Sequence, residues 1–343
     1  MAYDPFVRGH FAVGVRTIEA RDAVRNIPYQ CELWYPASES HFGQDYTETK
    51  VDHYAMPGGT QQRTQDAIRD AHGATGLFPL IIYSHGSARW QRRSATFLCT
   101  HLASHGYVVA AIDHYEMFVS NVTRENAALN RAADITFLLD FLLGPSAPSD
   151  IGIEPSRIGA VGYSLGGWTV LRAMEDEPRI RAIAVLAPAG TRSRTGMFSG
   201  RLTFRWKREV PTLLLSAAND VMFPQNRMGE TFKQIPTPKR GFVLNHADHM
   251  HFIDGVAEEH EVARLTNWPE EMEWISHEMH PANQLVSEQI AHAFTAGLVL
   301  AHFDAELLWL NEARRWYLTD LRPELASRKM DALESGRVQS PKA

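Results

Sequence analysis

Apolar and polar residues alternate in two early stretches, "FAVGVRTIE" (11–19) and "QCELWYP" (30–36). A period of two predicts strands with one covered and one wet face, as in an exposed antiparallel edge. Later runs read differently. "FPLIIYSHG" (78–86), "YVVAAIDH" (107–114), "RIGAVGYS" (157–164), "IRAIAVLAP" (180–188), "VPTLLLSAAND" (210–220) and "GFVLNHA" (241–247) are continuously apolar. Such runs predict parallel strands buried on both faces. Helical spacing fills the gaps at 91–105, 125–143, 165–176 and 226–235. From residue 78 onward strand and helix alternate, so the expectation is an α/β protein: a mostly parallel, eight-stranded sheet with helices on both faces.

Two connections, 189–209 and 255–283, exceed ordinary link length and predict lid-like or pocket-wall insertions. Residues 37–76 read as a surface excursion. The apolar stretch 293–310 carries His302, Asp304 and Glu306, so it is too short and too charged to span a bilayer. A core-packed helix is expected instead. Residues 1–325 are expected to form a single domain, and 326–343, charged and Pro-containing, a loosely ordered tail.

Composition narrows the class. The 343 residues are 44% hydrophobic and 22% charged, with net charge −6. No stretch joins clustered basic residues to a nucleic-acid-reading motif, so no nucleic-acid partner is expected. The local basic patch "RLTFRWKREV" (201–210) reads as a solvated or lid segment. Cys31 and Cys99 have neither CxxC nor metal-type spacing, which suggests a reducing compartment. The opening "MAYDPFVRGHFAVGVR" has no apolar core of signal-peptide length. A cytoplasmic protein without stable membrane insertion is the expectation.

Chemistry gathers at "RIGAVGYSLGGWTV" (157–170). By itself, G-x-S-x-G occurs by chance in a chain this long about one time in ten. Here it closes a predicted strand and opens a predicted helix, the setting in which a serine is displayed on a tight turn. Gly162, Gly166 and Gly167 supply the small neighbours that turn requires. A hydroxyl needs a base, and the base an orienting acid. Asp220 ends a later strand, and His249 follows the last one. His251 and His246 compete with His249, and Asp113 competes with Asp220. An oxyanion needs backbone N–H donors, for which Leu165 and Ser87 are the candidates. His85 reads as structural. Trp90, Tyr115, Phe118, Trp168 and Phe223 lie near the predicted sheet rim as candidate substrate contacts, each also readable as core. The histidine-rich loop with Asp248 could suggest a metal, but no second ligand cluster supports one, so no metal is expected.

These residues resemble the α/β-hydrolase superfamily, within it the dienelactone-hydrolase-like proteins and platelet-activating-factor acetylhydrolases. The resemblance runs from about residue 11 to about 310. It is carried by "VGVRTIEARDAVRNIPYQCELWYPA", "LIIYSHGS", "GYVVAAIDH", "RAADITFLLDFLL", "IEPSRIGAVGYSLGGWTVL", "LLLSAANDVMFP" and "ADHMHFID". The last is similar to the acetylhydrolase pattern His-x-x-Phe-x-Asp, aligned on His249, Phe252 and Asp254, which favours His249 as base. The resemblance implies an α/β-hydrolase fold and no metal or organic cofactor. Dienelactone hydrolases use a cysteine where this chain has Ser164, which points to ester rather than lactone hydrolysis. The expected function is therefore hydrolysis of small carboxylic esters through a Ser-His-Asp triad and an acyl-enzyme. Alternatives are an interfacial lipase or phospholipase A2-type acetylhydrolase, with "GMFSGRLTFRW" (196–206) as surface-binding segment, and a non-catalytic ligand-binding module.

Overall fold

The computed structural model describes residues 3–55, 62–87, 91–119, 124–190, 202–236 and 238–339. Strands β1 (Val13–Asp22) and β2 (Ile27–Pro36) pair antiparallel along their full length. Asn26, at φ 55°, makes the reversal between them, a conformation that asparagine tolerates. Next come β3 (Asp52–Ala55) and β4 (Gln62–Gln65), a separate two-stranded ribbon, and β5 (Ile68–Arg69), which lies parallel to β1.

The αβ alternation then begins. Its elements are β6 (Phe78–Ser84), α1 (Thr96–Ser104), β7 (Val108–Ile112), α2 (Arg124–Leu142), β8 (Ile153–Tyr163), α3 (Leu165–Ala173) and β9 (Ile180–Leu186). After them come β10 (Thr212–Ala217), α4 (Gln225–Gln234), β11 (Lys239–Leu244), α5 (Val256–Leu265) and α6 (Trp274–Glu278). The chain finishes with α7 (Glu288–Glu306), α8 (Asn311–Tyr317), α9 (Arg322–Ser327) and β12 (Ala332–Val338).

The main sheet has the order β12-β11-β10-β9-β8-β6-β7-β2-β1-β5. The six strands from β7 to β11 run parallel; β2 and β12 flank them antiparallel. Because β7 and β8 lie on opposite sides of β6, the connections diverge there, leaving a crevice at the carboxyl ends of β6 and β8. Alternation along the strands feeds two cores. Val161 and Tyr163 of β8 face the side covered by α1 and α7, whereas Ile158 and Ala160 face α2 and α3. Leu138, Leu139 and Leu142 of α2 and Trp168 and Leu171 of α3 close the second side.

The eight expected strands are present, and two more join them in this sheet. One, β5, comes from the excursion 37–76. The other, within the described part of 326–343, replaces the loose tail expected there. Residues 332–338 pair with β11, from Ala332 opposite Leu244 to Val338 opposite Lys239. Without β12, β11 would present a row of unpaired backbone groups. Its register is fastened by Arg240, buried, whose Nε and Nη2 donate to the two carboxylate oxygens of Glu334 at 3.0 Å each.

The stretch 255–283 folds as α5 and α6, and Ala263, Met272, Ile275 and Met279 sink into the first core. It is a packed wall beside the turn 249–252. Of 189–209, residues 191–201 lie outside the described residues. The stretch 293–310 falls within α7 and the turn after it, and residues 294–305 are buried throughout. Helix α1 starts at Thr96, later than the expected 91–105; ahead of it, Arg92 N–H donates to Asp113. Among the described residues no helix is long and apolar enough to cross a membrane.

Candidate active site

Strand β8 ends at Tyr163, and helix α3 starts at Leu165, leaving Ser164 alone to make the turn. Its backbone sits at φ 54°, ψ −117°, a strained conformation for a residue with a side chain. The strain is held from both sides. Ser164 N–H donates to Leu186 O at 2.9 Å, and Ser164 O accepts from Ala189 N–H at 2.9 Å. Glycine is required around it: a Cβ on Gly162 would strike the Gly166 carbonyl, and one on Gly166 the Ser84 carbonyl. Ser164 Oγ is thereby lifted to the sheet's carboxyl edge, and Leu165 N–H lies in the first turn of α3, where helix N–H groups have no intrahelical partner.

Two later loops meet that serine. His249 Nε2 lies 3.0 Å from Ser164 Oγ, and His249 Nδ1 lies 2.8 Å from Asp220 Oδ2. Asp220 is fixed in turn, its Oδ1 accepting Phe223 N–H at 2.9 Å. All three residues are about 3% exposed, so little water competes for these bonds. Tyr163 OH donates to His249 O at 3.0 Å, and the rings of Tyr163 and Phe223 lie 5.0 and 5.2 Å from the imidazole. The imidazole is thus bonded at both ring nitrogens and packed by two aromatic rings.

The rival residues are occupied elsewhere. His251 Nδ1 bonds Asp248 Oδ1 at 2.7 Å, and Asp248 Oδ2 meets His260 Nδ1 at 2.5 Å. Burial would raise the Asp248 carboxyl, but its two histidine bonds outweigh burial and hold it well below the usual carboxylate range. This cluster buttresses the turn carrying His249. His246, at φ 53°, is exposed beside Asp331. Asp113 accepts Arg92 N–H at 2.9 Å and pairs with the same guanidinium. It ties down the chain after β6 instead of orienting an imidazole.

The turn after β6 reaches the serine because Ser84 lies in register with Gly162 of β8. His85, fully buried, donates from Nδ1 to Gly86 O at 2.8 Å and accepts His114 N–H at Nε2, 3.2 Å away. Burial, then the nearby Arg131 charge, pushes its pKa well down, so it is a neutral structural residue. Ser87 follows, half-buried.

The candidate pocket residues separate. Phe223 is buried against His249. Tyr115 and Phe118 lie in the loop after β7, Phe118 38% exposed with its ring against Tyr29. Trp168, 1% exposed, belongs to the core under α3 and not to a rim. Trp90 lies outside the described residues. Asp254 proves structural. Its Oδ2 accepts Thr96 N–H at 2.6 Å and its Oδ1 Phe97 N–H at 3.2 Å, so it caps α1 from a distance and joins the His249 loop to that helix. Its only sequence signal was its place in the His-x-x-Phe-x-Asp pattern. Among the described residues no group of three or more His, Cys, Asp or Glu could hold a metal ion.

A family model described as PET hydrolase-like matches residues 67–273. The chain belongs to the PET hydrolase-like family. It is 30% identical over 185 residues to cutinase est1 of Thermobifida alba, which covers 52% of this chain and 54% of that protein. It is 29% identical over 178 residues to the bis(hydroxyethyl) terephthalate hydrolase of Streptomyces coelicolor, covering 51% of each. The chain thus spans about half the length of these curated relatives. A solved structure, the ferulic acid esterase from Streptomyces cinnamoneus, superposes with a TM-score of 0.68 at 23% identity, covering 95% of this chain and 97% of that one. The fold is the α/β-hydrolase fold, within the superfamily that the sequence resembles.

Proposed function

We propose that the protein hydrolyses carboxylic esters, with Ser164 as nucleophile, His249 as general base and acid, and Asp220 as the carboxylate that orients the imidazole. The observation that carries this is the continuous line Asp220 Oδ2 to His249 Nδ1, 2.8 Å, and His249 Nε2 to Ser164 Oγ, 3.0 Å. Bonded to Asp220 through Nδ1–H, the imidazole presents its Nε2 lone pair to the hydroxyl. Ser164 Oγ attacks the ester carbonyl as its proton passes to Nε2. The backbone N–H groups of Leu165 and Ser87 receive the oxyanion. Collapse of the tetrahedral intermediate expels the alcohol, which takes the proton from Nε2, and leaves an acyl-Ser164. Water, deprotonated by the same nitrogen, releases the acid and restores the serine.

The relatives' names point to a substrate class: a cutinase, a bis(hydroxyethyl) terephthalate hydrolase and a ferulic acid esterase. We take esters of small or aromatic acids as the substrates. An esterase assay with p-nitrophenyl butyrate, bis(2-hydroxyethyl) terephthalate and methyl ferulate tests both parts. The wild type is expected to hydrolyse at least one of them, and Ser164→Ala to lose at least about 10⁴-fold in kcat. A wild type inactive on every ester, or an active Ser164→Ala, contradicts the reading.

A further inference from the structure

Helix α2 crosses beneath the turn after β6 and directs a guanidinium into it. Arg131 is completely buried. Its Nη1 donates to His85 O and its Nη2 to Gly86 O, both at 2.7 Å. Glu116, in the loop after β7, pairs with Nε at 2.7 Å and with Nη2, fixing the plane of the guanidinium. Gly86 O is thus doubly held, by Arg131 and by His85 Nδ1–H. One turn further along α2, Asp134 bonds His114 Nδ1 and Tyr115 N–H, each at 2.9 Å. His114 Nε2 reaches Ser84 Oγ at 2.7 Å. The same helix face therefore grips the turn at Ser84, His85 and Gly86.

A trans peptide unit is planar, and its C=O and N–H point in opposite directions. Fixing Gly86 O therefore fixes the direction of Ser87 N–H, and fixing His85 O fixes that of Gly86 N–H. We propose that Arg131 is a positioning residue for the oxyanion hole, aligning Ser87 N–H through the carbonyl of its own peptide unit. This rests on the esterase reading and deepens it. The chemistry favours arginine: two parallel donors in a rigid plane match two successive carbonyls, whereas a lysine offers a single point charge. An oxyanion donor acts by being in place before charge develops, so a clamp of this kind bears on the transition state more than on substrate binding.

The test uses Arg131→Lys and Arg131→Met in the full chain, with active sites counted by fluorophosphonate titration. For p-nitrophenyl butyrate, kcat per active site is expected to fall about 10²-fold while KM changes less than about threefold. The Ki of an alkyl trifluoromethyl ketone, which adds to Ser164 as an oxyanionic hemiketal, is expected to rise by the same factor as kcat falls. A purely structural loss lowers the melting temperature and the titrated fraction but leaves Ki per active site unchanged. Folded variants with wild-type kcat and Ki overturn the proposal, as does a loss confined to KM. If neither variant folds, Glu116→Ala decides, because it leaves the guanidinium in place but removes the one oxygen that accepts from both Nε and Nη2, and so frees its plane. A parallel change in kcat and Ki supports the clamp, and no change in either overturns it. A wild type that neither hydrolyses esters nor binds the ketone would instead break the esterase reading itself.

Discussion

The histidines of one short loop, at positions 246, 249 and 251, look alike in sequence yet differ completely in role. His249 faces Ser164 and Asp220, whereas His251 is turned to Asp248. This difference was only partly legible. Ser164 stood out because everything its turn demands is local: glycines, a strand before and a helix after. The choice of His249 leaned on a family pattern, since sequence spacing does not say which way a loop side chain points. Arg131 gave a faint signal. It shares a helical stripe with Asp134, Ile135, Leu138, Leu139 and Leu142, all buried, so two charged residues interrupt an apolar face. Its partners, His85 and Gly86, lie on another element 45 and more residues away. The expected outcome is asymmetric. His249→Ala loses about 10⁴-fold or more in kcat. His251→Ala costs about 1–3 kcal/mol of stability, by removing one of the two histidine bonds to buried Asp248, but less than tenfold in kcat. Steady-state kinetics and urea unfolding of both variants check this, and similar kinetic losses in the two would reverse the assignment.

At the level of elements, α7 was recognised as a buried helix, but the consequence of burying Asp304 on it was not. Asp304 accepts hydroxyl bonds from Tyr107 and Tyr3, both at 2.8 Å. Burial nevertheless dominates and raises its carboxyl from 3.8 to about 6. The folded state therefore holds this proton more tightly than the unfolded chain does. Below about pH 4 both states are protonated and folding carries no penalty from this group. As pH rises through about 6 the folded protein must bury a carboxylate, which costs about 3 kcal/mol. Asp304→Asn is expected to raise stability at pH 8 by about 1–3 kcal/mol and to flatten its pH dependence between 4 and 7. Chemical unfolding of both proteins across that range measures it; identical profiles would show that Asp304 is not the group responsible. Strand β12, like β5, is an element the sequence did not announce. "ALESGRV" has an interior glycine and three polar residues, and its local propensity is poor. The open edge of β11 and the Arg240–Glu334 pair decide its conformation instead.

For the whole molecule, the order of parallel strands was legible because each is a continuous apolar run, and that order converges the functional segments. The carboxyl ends of β8 and β10 and the loop after β11 bring Ser164, Asp220 and His249 together. What surrounds the crevice was less legible. Loops take their course from distant partners, as when Asp254 caps α1 or Asp113 is spent on Arg92. Trp168 shows the same limit in reverse: an aromatic residue four positions after Ser164 in sequence is part of the core in space. On the proposed reading, this convergence makes one hydroxyl, Ser164 Oγ, the nucleophile. Reaction with a fluorophosphonate, followed by intact mass and peptide mapping, tests it most directly. A single adduct per chain is expected on Ser164, with fluoride lost, no adduct on Ser164→Ala, and slowed labelling of His249→Ala. An adduct on another residue, or an esterase that resists labelling at Ser164, would contradict it.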